Sequence, residues 1–423
     1  MADSPLLQWL QRLQNAHPVE IEMGLERVDL VWQQLSTVLG VDPQTPFSVP
    51  VVTVAGTNGK GSTVAALESL ALSNGLRPAC YTSPHLISFT ERIRVAGSAV
   101  SECELVEALE LVESARAGTA LTFFEHTTLT CLALFVRSCA DLVILEVGLG
   151  GRLDAVNIID ADVAVLTSID LDHQDFLGDN RSAIAREKLG IARAGKPLVI
   201  GEQDYPEGFL EAVTATSAKP LWLGKEFNCE IDDDVWHYRS FGEEMRDIRR
   251  GPLLPINLAL AVTAYRQLSL PFSAANCADL LAVVTATGRQ QRLRYHGREL
   301  LLDVAHNPAS CQQLAAALQR QDRPAVAVVS AFADKDFVAM VEPLLTAVSH
   351  WWVAPIKDNS RAADPHKLSQ LLYNSGASTT CNFSLPQALE AACVDSSEDH
   401  LIVVMGSFMV VAEILMHITE EEL

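Results

Sequence analysis

The sequence predicts an α/β protein of two domains: a P-loop-containing, mostly parallel sheet domain over residues 1–288, and a smaller Rossmann-like α/β C-terminal domain over residues 289–423. Three observations predict it. Short apolar runs at 49–55, 142–147, 163–169 and 198–201 alternate with helix-like stretches, the rhythm of strands buried on both faces. A glycine-rich turn, VAGTNGKGST (54–63), joins the first run to a helical pattern. A second alternating series begins near Arg289, and 423 residues exceed one ordinary core.

The elements follow in order. After the glycine turn, Val64, Leu67, Leu70 and Ala71 share one helical face, and Asn74-Gly75 supplies the stop. Residues 225–251 turn polar and acid-rich, which reads as a small antiparallel excursion. A helix is expected over 257–268. The boundary falls in TATGRQQR (285–292), and strands follow at 300–304, 325–331, 351–356 and 401–405.

Composition excludes several classes. The chain is 49% hydrophobic and 20% charged, with no apolar stretch long enough to span a membrane. MADSPLLQWLQRLQ lacks a basic segment followed by an apolar one, and nine cysteines show no C-x-x-C spacing; a reduced, cytoplasmic protein is expected. The net charge of −22 argues against nucleic acid, so an anionic ligand would need a locally positive site. Basic clusters at 186–196 and 289–298 could serve, or could be a solvated helix face and an edge strand.

Five motifs carry chemistry. In the loop, Gly56, Gly59 and Gly61 allow close backbone approach, so N–H groups can converge on phosphate oxygens at a helix start, with Lys60 bridging and Ser62 or Thr63 reaching a cation. The spacing departs from G-x-x-x-x-G-K-[ST], because Val54 and Gly61 occupy two of its positions; a plain βα turn is the other reading. Glu146 in LVILEVGLGGRLDAVNII (142–159) interrupts an apolar strand and reads as a ligand-facing or a merely solvated carboxylate. Gly148, Gly150 and Gly151 would clear space beside it. His173 in TSIDLDHQDFLG (167–178) leaves a strand end, either as a cap or as a ligand. Lys188 in AREKLGI is otherwise an ordinary helix lysine. LLDVAHNPAS (301–310) ends a strand in Asp303 before His306 and Asn307.

Taken together and in order, AGTNGKGST, YTSPHL, LEVGLGGRLDAVN, TSIDLDHQDFLG, REKLGI and DVAHNP closely resemble the dihydrofolate synthase/folylpolyglutamate synthase family of the Mur ligase superfamily. The resemblance runs from MGLERV (23–28) to VVMGSF (403–408). It implies an ATP-dependent ligase of folate biosynthesis and one-carbon metabolism. Asn58, Gly59, Lys60, Gly61, Ser62, Asn257, Arg289 and Asp303 would hold ATP, and Ser83, Glu146 and His173 would hold magnesium. Pterin would lie against Glu22, Met23, Gly24, Leu25 and Arg27, against Thr122, Phe123, Phe124 and Glu125, and near Leu153, Asp154 and Ala155. Lys60, Lys188, Asp303 and His306 would carry catalysis, with Lys188 carbamylated, and His306 and Ser407 would lie on the glutamate side.

The implied chemistry converts a carboxylate into an acyl phosphate, which the glutamate amine attacks, and a closing two-domain cleft would exclude water. The resemblance further implies two Mg2+ ions, ATP as cosubstrate and K+ as an additional ion. The expected partners are L-glutamate, dihydropteroate and reduced folates, with no nucleic acid or membrane, acting on a monomer. Arg292, Arg294 and Arg298 are expected, from charge placement, to offset the −22 charge for a polyanionic folate tail, and they share a face only if the segment is extended. Other readings are a bare P-loop ATPase or kinase, another Mur-type amino-acid ligase, a folylpolyglutamate synthase alone, and a non-catalytic nucleotide-binding regulator.

Overall fold

The computed structural model describes residues 4–17, 21–240, 242–274, 276–321 and 323–421. The chain divides into two compact units, Met1–Val284 and Thr285–Leu423. No helix among the described residues is long and apolar enough to cross a membrane.

The first unit is built on eight strands: β1 (Val51–Ala55), β2 (Pro78–Tyr81), β3 (Ile93–Val95), β4 (Ser98–Ala99), β5 (Leu142–Glu146), β6 (Val163–Leu166), β7 (Pro197–Ile200) and β8 (Lys219–Trp222). Their spatial order is β4-β3-β2-β5-β1-β6-β7-β8, with parallel pairings except for the antiparallel β2-β3 and β3-β4 pairs at one edge. Every residue of β1, β2, β5 and β6 is buried, as unbroken apolar runs covered on both faces require. The chain adds β2 and β5 on one side of β1, then crosses to β6 on the other. That reversal opens a crevice at the C-terminal ends of the central strands, where open α/β sheets bind ligands.

The acid-rich segment forms a separate antiparallel sheet of β9 (Phe227–Ile231), β10 (Val235–Ser240) and β11 (Glu243–Arg249). Tyr238 anchors it, its hydroxyl 3.0 Å from Thr263 Oγ1 on the buried helix Pro255–Arg266.

The second unit orders β12 (Gln291–Tyr295), β13 (Arg298–Asp303), β14 (Ala325–Val329), β15 (Val348–Val353), β16 (Thr379–Cys381) and β17 (Leu401–Met405) as β12-β13-β17-β14-β15-β16. Only β12 runs antiparallel. Asp303 pairs in register with Met405, so the ends of β13 and β17 lie side by side.

Candidate active site

The phosphate-like loop closes β1 and opens the helix Lys60–Ser73. Gly59 caps this helix at φ 89, and a methyl group there would come within 2.4 Å of Asn257 Oδ1. Only glycine meets both demands. Asn257 is buried in the first turn of Pro255–Arg266, so a residue far along the chain becomes a wall of the loop. The end of β6 fixes the loop backbone: Asn58 N donates to Ser168 Oγ (3.0 Å), and Thr167 Oγ1 donates to Asn58 O (2.6 Å). Thr167 and Ser168 escaped sequence reasoning because small hydroxyls at a strand end carry no signal of their own. Lys60 Nζ donates to Gly56 O (2.9 Å) and Thr57 O (3.3 Å), so the lysine also braces its own loop.

Glu146 is the last residue of β5 and only 4% exposed. Its Oε2 accepts from Ser83 N (3.2 Å), directly beyond β2, while Oε1 lies 3.8 Å from where a Gly61 side chain would begin. The carboxylate therefore faces the loop. His173 follows β6 at φ 51 with a half-exposed ring, beside Asp172. A buried carboxylate facing the loop, with the Ser83 backbone against it, offers the hard oxygen donors that a divalent cation such as magnesium takes.

The glycines after Glu146 do something other than clear space beside it, which corrects the sequence expectation. A methyl group on Gly148 would meet Phe124 Cζ at 2.5 Å, and one on Gly151 would meet the carbonyl of Glu187 at 2.8 Å. The turn thus lets an aromatic ring and the helix Arg181–Leu189 pack against it, and the second contact seats Lys188. Lys188 is buried, and its pKa falls from 10.5 to about 7, first through burial and then through Lys60, against the pull of Asp172 and Asp154. Burial drives Asp154 the other way, up to about 6. Its Oδ2 accepts from Leu149 N (2.7 Å) and its Oδ1 from Val156 N (3.0 Å), holding the turn in shape.

The N-terminal segment meets this turn. Met23 lies beside Gly150, with a Gly150 methyl position 3.5 Å from Met23 Cε. Gly24 and Leu25 lead into the helix Glu26–Leu39. Arg27 on that helix pairs with Glu22 and with the buried Glu125, the latter at 2.8 Å. TFFE is a capping box: Thr122 Oγ1 accepts from Glu125 N, and Glu125 Oε2 accepts from Thr122 N. The T-x-x-E spacing was the available signal, and it explains why these polar residues stand at a helix start. Phe124 stacks at a tilt on Tyr81 (6.1 Å), and Phe123 meets Phe89 edge-on (5.9 Å). Arg92, which sequence reasoning passed over, is buried with its guanidinium over Phe89 and Phe123. Leu153 and Ala155 flank Asp154.

In the second unit, Asp303 ends β13 and accepts from Gln290 N (3.1 Å) and Ala305 N (2.9 Å). Burial raises its pKa, and Arg289 opposes that rise. Arg289 itself lies over the Phe408 ring at 5.1 Å, and His306 approaches the same ring. Ser407 is buried and accepts from Val410 N (3.2 Å). The expected shared arginine face is corrected here. Arg292 and Arg294 point outward from β12, but Arg298 is buried and donates to the backbone carbonyls of Cys393, Ser396 and Ser397.

Two family models match the chain: the Mur ligase middle domain over residues 54–226, and the Mur ligase glutamate ligase domain over 288–408. The dihydrofolate synthase/folylpolyglutamate synthase of Escherichia coli (strain K12) is 40% identical over 418 residues, 98% of this chain and 96% of that protein. The Haemophilus influenzae protein of the same name is 32% identical, covering 97% of each. Among solved structures, E. coli FolC in complex with DHPP and ADP matches with a TM-score of 0.92 at 36% identity, covering both chains fully. The Yersinia pestis bifunctional folylpolyglutamate synthase/dihydrofolate synthase complexed with AMPPNP and Mn matches at 0.90 and 36%, covering 99% of each. With both Mur ligase domain models matched and 40% identity over nearly its whole length, this chain belongs to the dihydrofolate synthase/folylpolyglutamate synthase family of Mur-type ligases.

Proposed function

We propose that the protein joins L-glutamate to the carboxylate of 7,8-dihydropteroate, and to the γ-carboxylate of reduced folates, using ATP and releasing ADP and phosphate. The observation that carries this reading is the convergence of the glycine loop, Glu146 and Asn257 at the central strand ends of a chain in this family. A carboxylate is a poor acyl donor, so ATP must first convert it into an acyl phosphate. Backbone N–H groups from Gly59 to Ser62 and the Lys60 ammonium bind and orient the phosphates at the helix N-terminus. Glu146, Ser83 and His173 hold magnesium, which neutralises phosphate charge when bound. In the second unit, Arg289 and Asp303 serve the nucleotide, while His306 and Ser407 serve the glutamate.

Lys188 is carbamylated in this reading. Carbon dioxide reacts only with a neutral amine, and a pKa of about 7 leaves much of Lys188 neutral at physiological pH. The product is an anion, which suits a site built to take a cation. Pterin lies between the Phe123-Phe124 pair, the Met23–Arg27 segment and the Leu153–Ala155 turn. K+ is a further ion of this reading, and the enzyme acts as a cytoplasmic monomer.

ADP release tests the assignment. It should require ATP, L-glutamate and dihydropteroate together and yield dihydrofolate. Release at the same rate without glutamate would overturn the ligase reading. Extension of tetrahydrofolate without any use of dihydropteroate would restrict the protein to polyglutamylation.

A further inference from the structure

At the opposite end of β13 from Asp303, five side chains of the second unit converge. Tyr295 ends β12 and His296 occupies the turn that follows. Glu390 comes from the helix Leu385–Asp395, and His417 and Glu421 come from the last helix, Phe408–Glu421. The hairpin turn aims the His296 ring, with φ 47 at His296 and 76 at Gly297. An i,i+4 spacing places His417 and Glu421 on one helical face.

The donor set is rich in acceptors and short of positive charge. Tyr295 has one hydroxyl proton but faces Glu421 Oε2 (2.5 Å), Glu390 Oε1 and His417 Nε2 (3.1 Å). His296 Nε2 lies 3.2 Å from Glu421 Oε2. His417 Nε2 lies 3.3 Å from Glu390 Oε1 and 3.5 Å from Glu421 Oε1. One ligand atom each from His296, Glu390 and Glu421 falls within 4.8 Å of the others. A tetrahedral cation with bonds of about 2.0–2.2 Å keeps its ligands roughly 3.3–3.6 Å apart, close to the three His–carboxylate separations of 3.2, 3.3 and 3.5 Å. Two imidazoles with two carboxylates suit a borderline cation better than magnesium, which prefers oxygen alone.

We infer that His296, Glu390, His417 and Glu421 form a binding site for a borderline divalent cation such as Zn2+, separate from the ATP site. The bound ion cross-links the hairpin turn to the last two helices, and because it binds only the folded arrangement it stabilises the second unit. None of its ligands belongs to the loop-and-Glu146 site, so this inference stands apart from the proposed reaction.

Cobalt is the probe, since tetrahedral Co2+ absorbs in the visible. The nucleotide-free full chain is titrated with Co2+ in excess Mg2+, which competes for the proposed Glu146 site. One Co2+ per chain should give the visible band, Zn2+ should displace it, and Zn2+ alone should raise the melting temperature. His296→Ala/His417→Ala should weaken Co2+ binding by about tenfold or more, the scale of losing even an outer-sphere partner. Glu421→Gln, at an exposed position, should weaken it in the same direction while the far-UV circular dichroism is unchanged. Absence of the band, a band of equal strength in the double variant, or a melting temperature insensitive to Zn2+ would overturn the site and leave a proton-bridged ion-pair cluster.

Discussion

Lys188→Met is expected to stabilise the protein while ending ligase turnover. Folding takes the Lys188 amine from the ordinary lysine range to a pKa of about 7, and burial is the main cause. An amine depressed this far costs the fold about 4 kcal/mol at pH 7. Methionine is similar in length and carries no charge, so it removes that cost, less about 1 kcal/mol for imperfect repacking. A net gain of about 3 kcal/mol raises the melting temperature of a unit this size by roughly 5 °C. The sign of the pH dependence is fixed as well. Between pH 7 and about 10.4 the unfolded chain holds more protons than the folded one, so wild-type stability climbs with pH and the advantage of Lys188→Met shrinks. Thermal melts of both proteins at pH 7 and pH 9.5, in CO2-depleted buffer, check this. Added bicarbonate should narrow the gap at pH 7, because carbamylation relieves the buried amine. A variant no more stable than wild type at pH 7, or a gap independent of pH, would refute the reasoning.

Three further outcomes are expected. Gly148→Ala should raise KM for dihydropteroate about tenfold with ADP affinity unchanged, because the added methyl group displaces Phe124 and nothing in the phosphate loop; equal shifts for both ligands in steady-state and binding assays would count against it. Lys60→Ala should abolish turnover and also lower stability slightly, by about 1 kcal/mol, through loss of its bonds to Gly56 and Thr57; activity within tenfold of wild type would sink its phosphate role. Arg298→Ala should destabilise by about 3 kcal/mol, since it orphans buried carbonyls of Cys393, Ser396 and Ser397, whereas the exposed Arg294→Glu should shift stability by no more than about 0.5 kcal/mol; chemical denaturation separates the two, and similar losses would mean the buried assignment of Arg298 is wrong.

What the sequence made legible was periodic or local. Unbroken apolar runs marked the parallel strands because burial on both faces leaves no alternation, and the GTNGKGST turn announced a strand-to-helix junction through its glycines alone. What stayed hidden depended on which distant segment arrives at a given atom. Gly151 reads in sequence as room beside Glu146, but its cause is the backbone of the helix Arg181–Leu189 passing where a side chain would stand. Arg298 shares its spacing pattern with Arg292 and Arg294, yet it lies across a hairpin turn on β13, where three carbonyls from the end of another helix capture it. In the TFFE segment the two aromatics overshadow the reciprocal Thr122–Glu125 cap, which only the T-x-x-E spacing signals. That cap and the Arg27 ion pair together fix the start of the helix Phe123–Arg137 against the N-terminal segment. The same bonds that stabilise the helix therefore set where Phe123 and Phe124 project, which is why one four-residue stretch serves both the fold and the proposed pterin pocket.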